Sequence, residues 1–468
     1  MPYKDEYADK TSHFDIVNNP EILKFIEECS FIIEPSEEEG KKMSELFIDV
    51  PQNNDTLPEK IIAIDGSYYE ASVQSRIPST KVGYVKIGSL LIDRRQYRDL
   101  RVLNNRFVDP FRVAKMQDNN SPITFPFPSS NIVLKGKKNV RDSFRYAMDK
   151  HLLEHRTIKD RPDSSLRTTL FHLASLRTGE LGTNDSSKLK IHKCPSCEQE
   201  QIELYDIPEE QYCPNCKSPV YPSDCLRIWE EVTDYQSNSV ALSRFMNVIE
   251  HIIPVHYIRI VREYYAESFA NILSNLAFFI DGPLAIFGTA AWIHASILRY
   301  LNRINCDMKK YRKNSILLIG LQKAGHVVEY FNLIENYIGN NKIFSITDDY
   351  RYKYITPNNE PSNNGFGYET YYGQDFLLKT ESGRVFVFAL PYPFSSKADQ
   401  DTKCFSTEKT KYSNYDCLGK AVQLIKDFEC DLYENAVVPI ALAHKYTAIS
   451  LEPGAKVLDL LSQTSIKR

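Results

Sequence analysis

The sequence lacks several features that would place it in common classes. It has no apolar run long enough to cross a bilayer. The most hydrophobic region, residues 269–298, is interrupted by Asp281 and then by Gly282, Pro283 and Gly288, whereas a spanning helix needs about 20 apolar residues. That region reads as buried core. The first twelve residues are polar and charged with no apolar centre, so no secretory leader is expected and the cytoplasm is the expected compartment. There is no Gly-x-x-x-x-Gly-Lys-Ser/Thr loop, which excludes P-loop nucleotide chemistry. There is also no surplus of positive charge. Lys and Arg number 57 against 61 Asp and Glu, a net charge of −4. A chain of this charge that works on a polyanion must gather basic residues locally or receive its substrate from a basic partner.

What is present is an ordinary globular composition: 42% hydrophobic and 25% charged residues, with 29 Tyr and 24 Phe to fill a core. Apolar runs at Lys60–Ser67, Val82–Ile92, Leu276–Ile280, Ser315–Gly320 and Val385–Leu390 read as strands, the first two as a hairpin, with the runs at 60 and 276 ending in Asp-Gly turns. Helical spacing covers Pro20–Cys29, Glu37–Phe47, Asn139–Leu153, Ser164–Leu176, Asn238–Ile253, Val255–Ser274, Ala290–Arg303, Val327–Tyr337, Leu418–Leu432 and Ala436–Ile449, with a break at Pro254. Residues 105–135, rich in Pro, Asn and Ser, and residues 356–374, rich in Asn, Gly and Tyr, read as loops. Strands and helices mix throughout, which makes the class α/β.

Ten cysteines are present. Four form two Cys-x-x-Cys pairs, Cys194/Cys197 and Cys213/Cys216, separated by fifteen residues. Each pair turns two thiolates toward one ion, and four thiolates close a tetrahedral zinc shell with no open position for water. Such a zinc is structural. Lys188, Lys190, His192, Lys193 and Lys217 give the module a basic rim, either a solvated surface or a set of phosphate contacts. The remaining six cysteines read as plain thiols.

Two segments share one design. IIAIDGS and AFFIDGPL each carry a carboxylate, Asp65 and Asp281, to the end of an apolar strand and follow it with glycine. A buried acid needs a partner. Divalent ions with hard oxygen ligands are suitable ones, and a pair of ions about 4 Å apart activates water for phosphodiester cleavage.

Asp65-Gly66-Ser67, Asp281-Gly282-Pro283-Leu284 and the closing Pro439-Ile-Ala-Leu-Ala-His444 resemble, in order and rough spacing, the signature blocks of NurA nucleases. The likeness spans residues 60–450 and is closest to bacterial members that carry a zinc ribbon. The resemblance implies an RNase H-like mixed sheet flanked by helices, DNA cleavage dependent on manganese or magnesium, a homodimer, and docking on HerA, a hexameric ATPase and DNA translocase. It makes Asp65 and Asp281 metal ligands and asks for a helix glutamate, for which Glu250 in RFMNVIEH is chosen over Glu263 and Glu267. His444 takes the family histidine's place, binding metal or exchanging protons, and Lys323 that of a lysine after a strand, suited to holding a phosphate. Many members carry Tyr-Pro before the closing block; here Val438 precedes Pro439. The expected organisation is a helical extension over 1–58, a nuclease domain in two parts over 59–190 and 225–468, and a zinc ribbon over 191–224. The competing readings are a non-catalytic zinc-ribbon adaptor for nucleic acid or protein, which treats the acids as structural and is favoured if the two aspartates lie far apart, and a transposase-like enzyme on the same fold.

Overall fold

The computed structural model describes residues 14–29, 34–74, 76–99, 101–102, 107–108, 122–357, 359, 361–398, 402–430, 435–449 and 454–465. Its centre is a nine-stranded mixed sheet. The strands are β1 (Ile48–Asp49), β2 (Lys60–Gln74), β3 (Ile77–Asp93), β4 (Ile123–Pro128), β5 (Leu276–Asp281), β6 (Leu317–Gln322), β7 (Lys342–Ser345), β8 (Gly373–Lys379) and β9 (Val385–Pro391). Their order across the sheet is β1-β7-β8-β9-β6-β5-β2-β3-β4. The strands β2, β3 and β4 form an antiparallel meander, and β5 and β6 run parallel to β2. Reading β4-β3-β2-β5-β6 gives the RNase H-like strand order, here extended by four further strands on the β6 side.

The central strands are covered on both faces, so they read as continuous apolar runs. Side chains still alternate. Ile61 and Ala63 of β2, with Ala277 and Phe279 of β5, face one core. Ile64, with Phe278 and Ile280, faces the other. The second face is covered by α1 (Val140–Glu154), α2 (Leu166–Ser175), α3 (Ser239–Tyr264) and α4 (Ile293–Lys310), the first by α6 (Leu418–Phe428) and α7 (Val438–Thr447). Helix α5 (His326–Ile334) and the helix Glu37–Ser44 border a third, smaller core at the β7–β8 end. A last helix, α8 (Gly454–Ser465), reaches the β2–β3 hairpin, where Tyr69 donates to Asp459 at 3.0 Å. No helix among the described residues is long and apolar enough to cross a membrane.

The structure revises several local expectations. The expected strand end at Asp65-Gly66 is not there, because β2 continues for nine residues past Asp65 paired with β3, in one register as far as Ser72. The expected end at Asp281 is there, and Gly282 turns the chain at φ +103°. The expected loop over 105–135 contains β4, whose Pro126 and Pro128 are tolerated because an edge strand has one side without ladder bonds. The strands β7 and β8 were not anticipated. Nor does Pro254 break α3, which runs unbroken for 26 residues. Fifteen of its residues are buried, including Phe245, Ile249, Ile252 and Ile253, and that packing outweighs one missing N–H. By helix geometry the missing donor is the one that would have met the carbonyl of Glu250.

The cysteine module (residues 188–220) shares the main core through Leu189, Ile191, Ile202 and Leu204. Buried ion pairs fix its flank. Arg145 of α1, 2% exposed, holds Asp224 through Nε–Oδ1 at 2.8 Å and Nη2–Oδ2 at 2.6 Å, and also reaches the Pro219 carbonyl. Arg167 of α2 bridges Asp149 and Asp206. Removing one member of such a pair strands a buried charge. Arg145→Ala is therefore expected to destabilise the fold by about 3–5 kcal/mol, read as an earlier urea unfolding transition. A transition that does not move would place the anchoring of the module elsewhere.

Candidate functional site

The site forms where the parallel strands β2 and β5 lie side by side. Ile64 pairs with Ile280, so the residues that follow, Asp65 and Asp281, stand next to each other. Asp65 points toward α7. There Thr447 donates to its Oδ2 at 2.7 Å and His444 Nδ1 lies 3.1 Å from the same oxygen. Ligand atoms of Asp65, Asp281 and His444 all lie within 4.8 Å of one another. Lys323, one residue past β6, places Nζ 2.6 Å from Asp281 Oδ2.

Glu250 approaches from α3 on the opposite face and accepts a hydrogen bond from the Gly66 N–H. It lies outside the 4.8 Å group, and the burial that surrounds it together with the charges of Asp65 and Asp281 raises its pKa well above the ordinary value. The rivals sit elsewhere. Glu263 pairs with Arg259 at 2.6 Å and lies 3.5 Å from His172, and Glu267 is exposed in the turn after α3. The structure thus gathers Asp65, Asp281, His444 and Lys323 directly, with Glu250 in electrostatic contact. Val438, where many family members have tyrosine, is 2% exposed and packs in the core under α7.

Two glycines make this convergence possible. A Cβ on Gly66 would lie 2.7 Å from Glu250 Oε1 and 2.6 Å from Met246 Cγ. Gly88, the β3 partner of Asp65, leaves the room that Thr447 fills, and a Cβ there would lie 2.6 Å from Thr447 Cγ2. One glycine opens each face of the sheet to one helix. Thr447 is the site residue the sequence reading missed. Its signal was its position one turn beyond His444 on the same helix.

The donor set of two carboxylates and an imidazole suits a hard or borderline divalent ion. Burial and the neighbouring Asp65 raise the pKa of Asp281 to about 6 despite the opposing pull of Lys323. Carboxylates held above their ordinary values favour the folded state while protonated, and that contribution is lost as pH rises through the folded pKa. Repulsion among the acids is thus greatest above about pH 6.

The four module cysteines form the second ligand group. Cys194 Sγ lies 3.8 Å from Cys216 Sγ and Cys197 Sγ 3.6 Å from Cys213 Sγ. A tetrahedron with Zn–S of 2.3 Å has an edge of about 3.8 Å, so the geometry is compatible with a zinc ribbon. The two turns repeat one another. Cys194 N–H donates to Gln199 O and Cys213 N–H to Ser218 O, with Glu198 and Lys217 in the left-handed region at φ +60° and +58°. Hydrogen bonds from Ser218 lower the Cys216 thiol, while burial raises that of Cys194. The basic rim is engaged locally: Lys188 with Glu203, Lys190 with the Glu180 carbonyl, Lys193 with Glu198, and Lys217 with the Pro214 carbonyl.

Glu250→Gln keeps the acceptor for Gly66 and removes a charge. In metal-free buffer this variant is expected to melt at a higher temperature than the parent by a margin that widens as pH rises. A margin that shrinks as pH rises would show that the glutamate carries no charge penalty.

Among curated proteins, no sequence matches this chain. Among solved structures it is similar to the crystal structure of the NurA nuclease from Sulfolobus solfataricus, at 10% identity and a TM-score of 0.31 over 98% of this chain and 95% of that one. The model of the NurA domain matches residues 59–449. That span opens just before β2 and closes just after α7, taking in both acidic strands and the helix that carries His444, and by it the chain belongs to the NurA family.

Proposed function

We propose that this chain is a divalent-metal-dependent deoxyribonuclease that cuts phosphodiester bonds at DNA ends or in single strands. The observation that carries the reading is the meeting of Asp65, Asp281 and His444, with ligand atoms within 4.8 Å of one another, from three segments remote in sequence. Aspartates far apart would have favoured the adaptor reading, and they are neighbours on paired strands.

Asp65 and Asp281 are the residues to hold manganese or magnesium, with Glu250 closing the acidic set and His444 at its rim. A divalent cation there supplies neutralisation of phosphate charge and eases deprotonation of the attacking water. Thr447 fixes the Asp65 carboxylate so that it need not reorganise. His444, with its side chain 47% exposed, uses one ring nitrogen to contact Asp65 and offers the other to exchange a proton with water or the leaving oxygen. Lys323 neutralises Asp281, and once that carboxylate serves a cation its ammonium can turn to a substrate phosphate. The cysteine module holds zinc as a folding staple.

The family setting and the absence of a P-loop support a homodimer that works in the cytoplasm with a HerA-type hexameric DNA translocase as the ATP-consuming partner. DNA end processing and anti-phage defence both suit that pairing. The net charge of −4 fits a nuclease fed by a partner that handles the DNA.

With labelled single-stranded DNA and Mn²⁺, Asp281→Asn is expected to lower the cleavage rate at least about 100-fold while the fold is retained. Undiminished cleavage would defeat the assignment. Denaturing the purified chain in the presence of a chromogenic chelator is expected to release about one zinc per chain. Cys213→Ser should lose that zinc and melt earlier, and a parent that releases none would remove zinc from the module.

A further inference from the structure

A cleft of about 380 Å³ lies near Glu250, a size typical of sites for small organic ligands. Its lining includes Tyr68, Ser243, Arg244, Met246, Asn247 and Phe287. The cleft lies on the α3 face of the sheet, the side from which Glu250 approaches. Met246 precedes Glu250 by one helical turn, and both close on Gly66, while Tyr68 lies two residues further along β2 and so on the same strand face as Gly66.

The chemistry of this lining is specific. Two aromatic rings, a guanidinium, an amide and a hydroxyl are the groups that receive a base and its phosphate. They are also braced. Phe287 is 41% exposed yet held edge-on by Tyr371 at 5.9 Å. Arg244 is tied to Glu231 at 3.2 Å and lies against Gly288, where a Cβ would fall 2.5 Å from the guanidinium carbon.

We propose that this cleft seats one unpaired nucleotide of a DNA strand beside the phosphate to be cut, with the base against Phe287 and Tyr68 and a flanking phosphate near Arg244. The proposal rests on the nuclease reading and adds the residues that would hold its substrate. A base in a duplex has both faces stacked on its neighbours, so a cleft that uses a ring face selects single strands or frayed ends.

The test uses the full chain carrying Asp281→Asn to prevent cleavage, and a fluorescein-labelled oligo(dT). Adding Phe287→Ala is expected to weaken binding about ten-fold or more, the usual loss for one stacked base. Adding Phe287→Trp should keep the affinity and have its indole emission quenched by oligo(dT), but not by an abasic strand of equal length. Binding of Phe287→Ala within about two-fold of its parent, or an unquenched indole, would overturn the cleft. Cleavage by the unmodified chain with Mn²⁺ is measured in parallel. If it cuts single-stranded DNA and Phe287→Ala cuts equally well, the cleft falls alone. If it neither cuts nor binds DNA, the nuclease reading falls and the cleft with it.

Discussion

The structure is organised around an electrostatic cost. Asp65, Glu250 and Asp281 are brought together at low solvent exposure, with the Lys323 ammonium contacting Asp281 and the His444 imidazole contacting Asp65. Like charges in such a setting repel and resist desolvation. The rest of the chain has to impose this arrangement. Parallel pairing of β2 with β5 fixes the aspartates side by side. The long buried helix α3 supplies the glutamate, and α7 supplies the histidine and threonine. The acids are held in place by the packing of the cores on either side.

Much of this was legible from residue order, and the parts that were not have physical reasons. The strands of residues 60–64, 276–280 and 385–390 announced themselves as apolar runs because both of their faces are covered. β4 did not, because its prolines mimic a loop and are admissible only at a sheet edge, and edge position is a property of the whole sheet. β7 has four residues and lies among polar neighbours. Pro254 signalled a break by local rules, and the burial of α3 overrode it. Asp65-Gly66 carries the letters of a turn but lies within a strand, because its glycine serves a helix crossing above it and leaves the strand direction unchanged.

The site was legible in its ligands more than in its supports. Asp65, Asp281 and His444 carry chemistry that can be named from residue type. Thr447 and Gly88 matter only through what they touch, and no local pattern marks them. Similarly, Arg351 and Gln322 both bind the buried Asp375, an arrangement that nothing in the sequence announced. Glu250, preferred over Glu263 from the sequence, is the one that reaches Gly66, while Arg259 pairs with Glu263.

The two glycines have a consequence for how the chain assembles. They occupy neighbouring rungs of one hairpin and open toward opposite faces. Sliding β3 by a single residue along β2 would turn its side chains over, and a bulky neighbour such as Ile87 would then block the gap that α7 needs. A misaligned hairpin therefore could not seat that helix, and the error would stay visible as an undocked segment. Correct alignment of the ribbon becomes a condition for completing the tertiary structure, so a copy with mispaired strands would be left without a finished catalytic pocket.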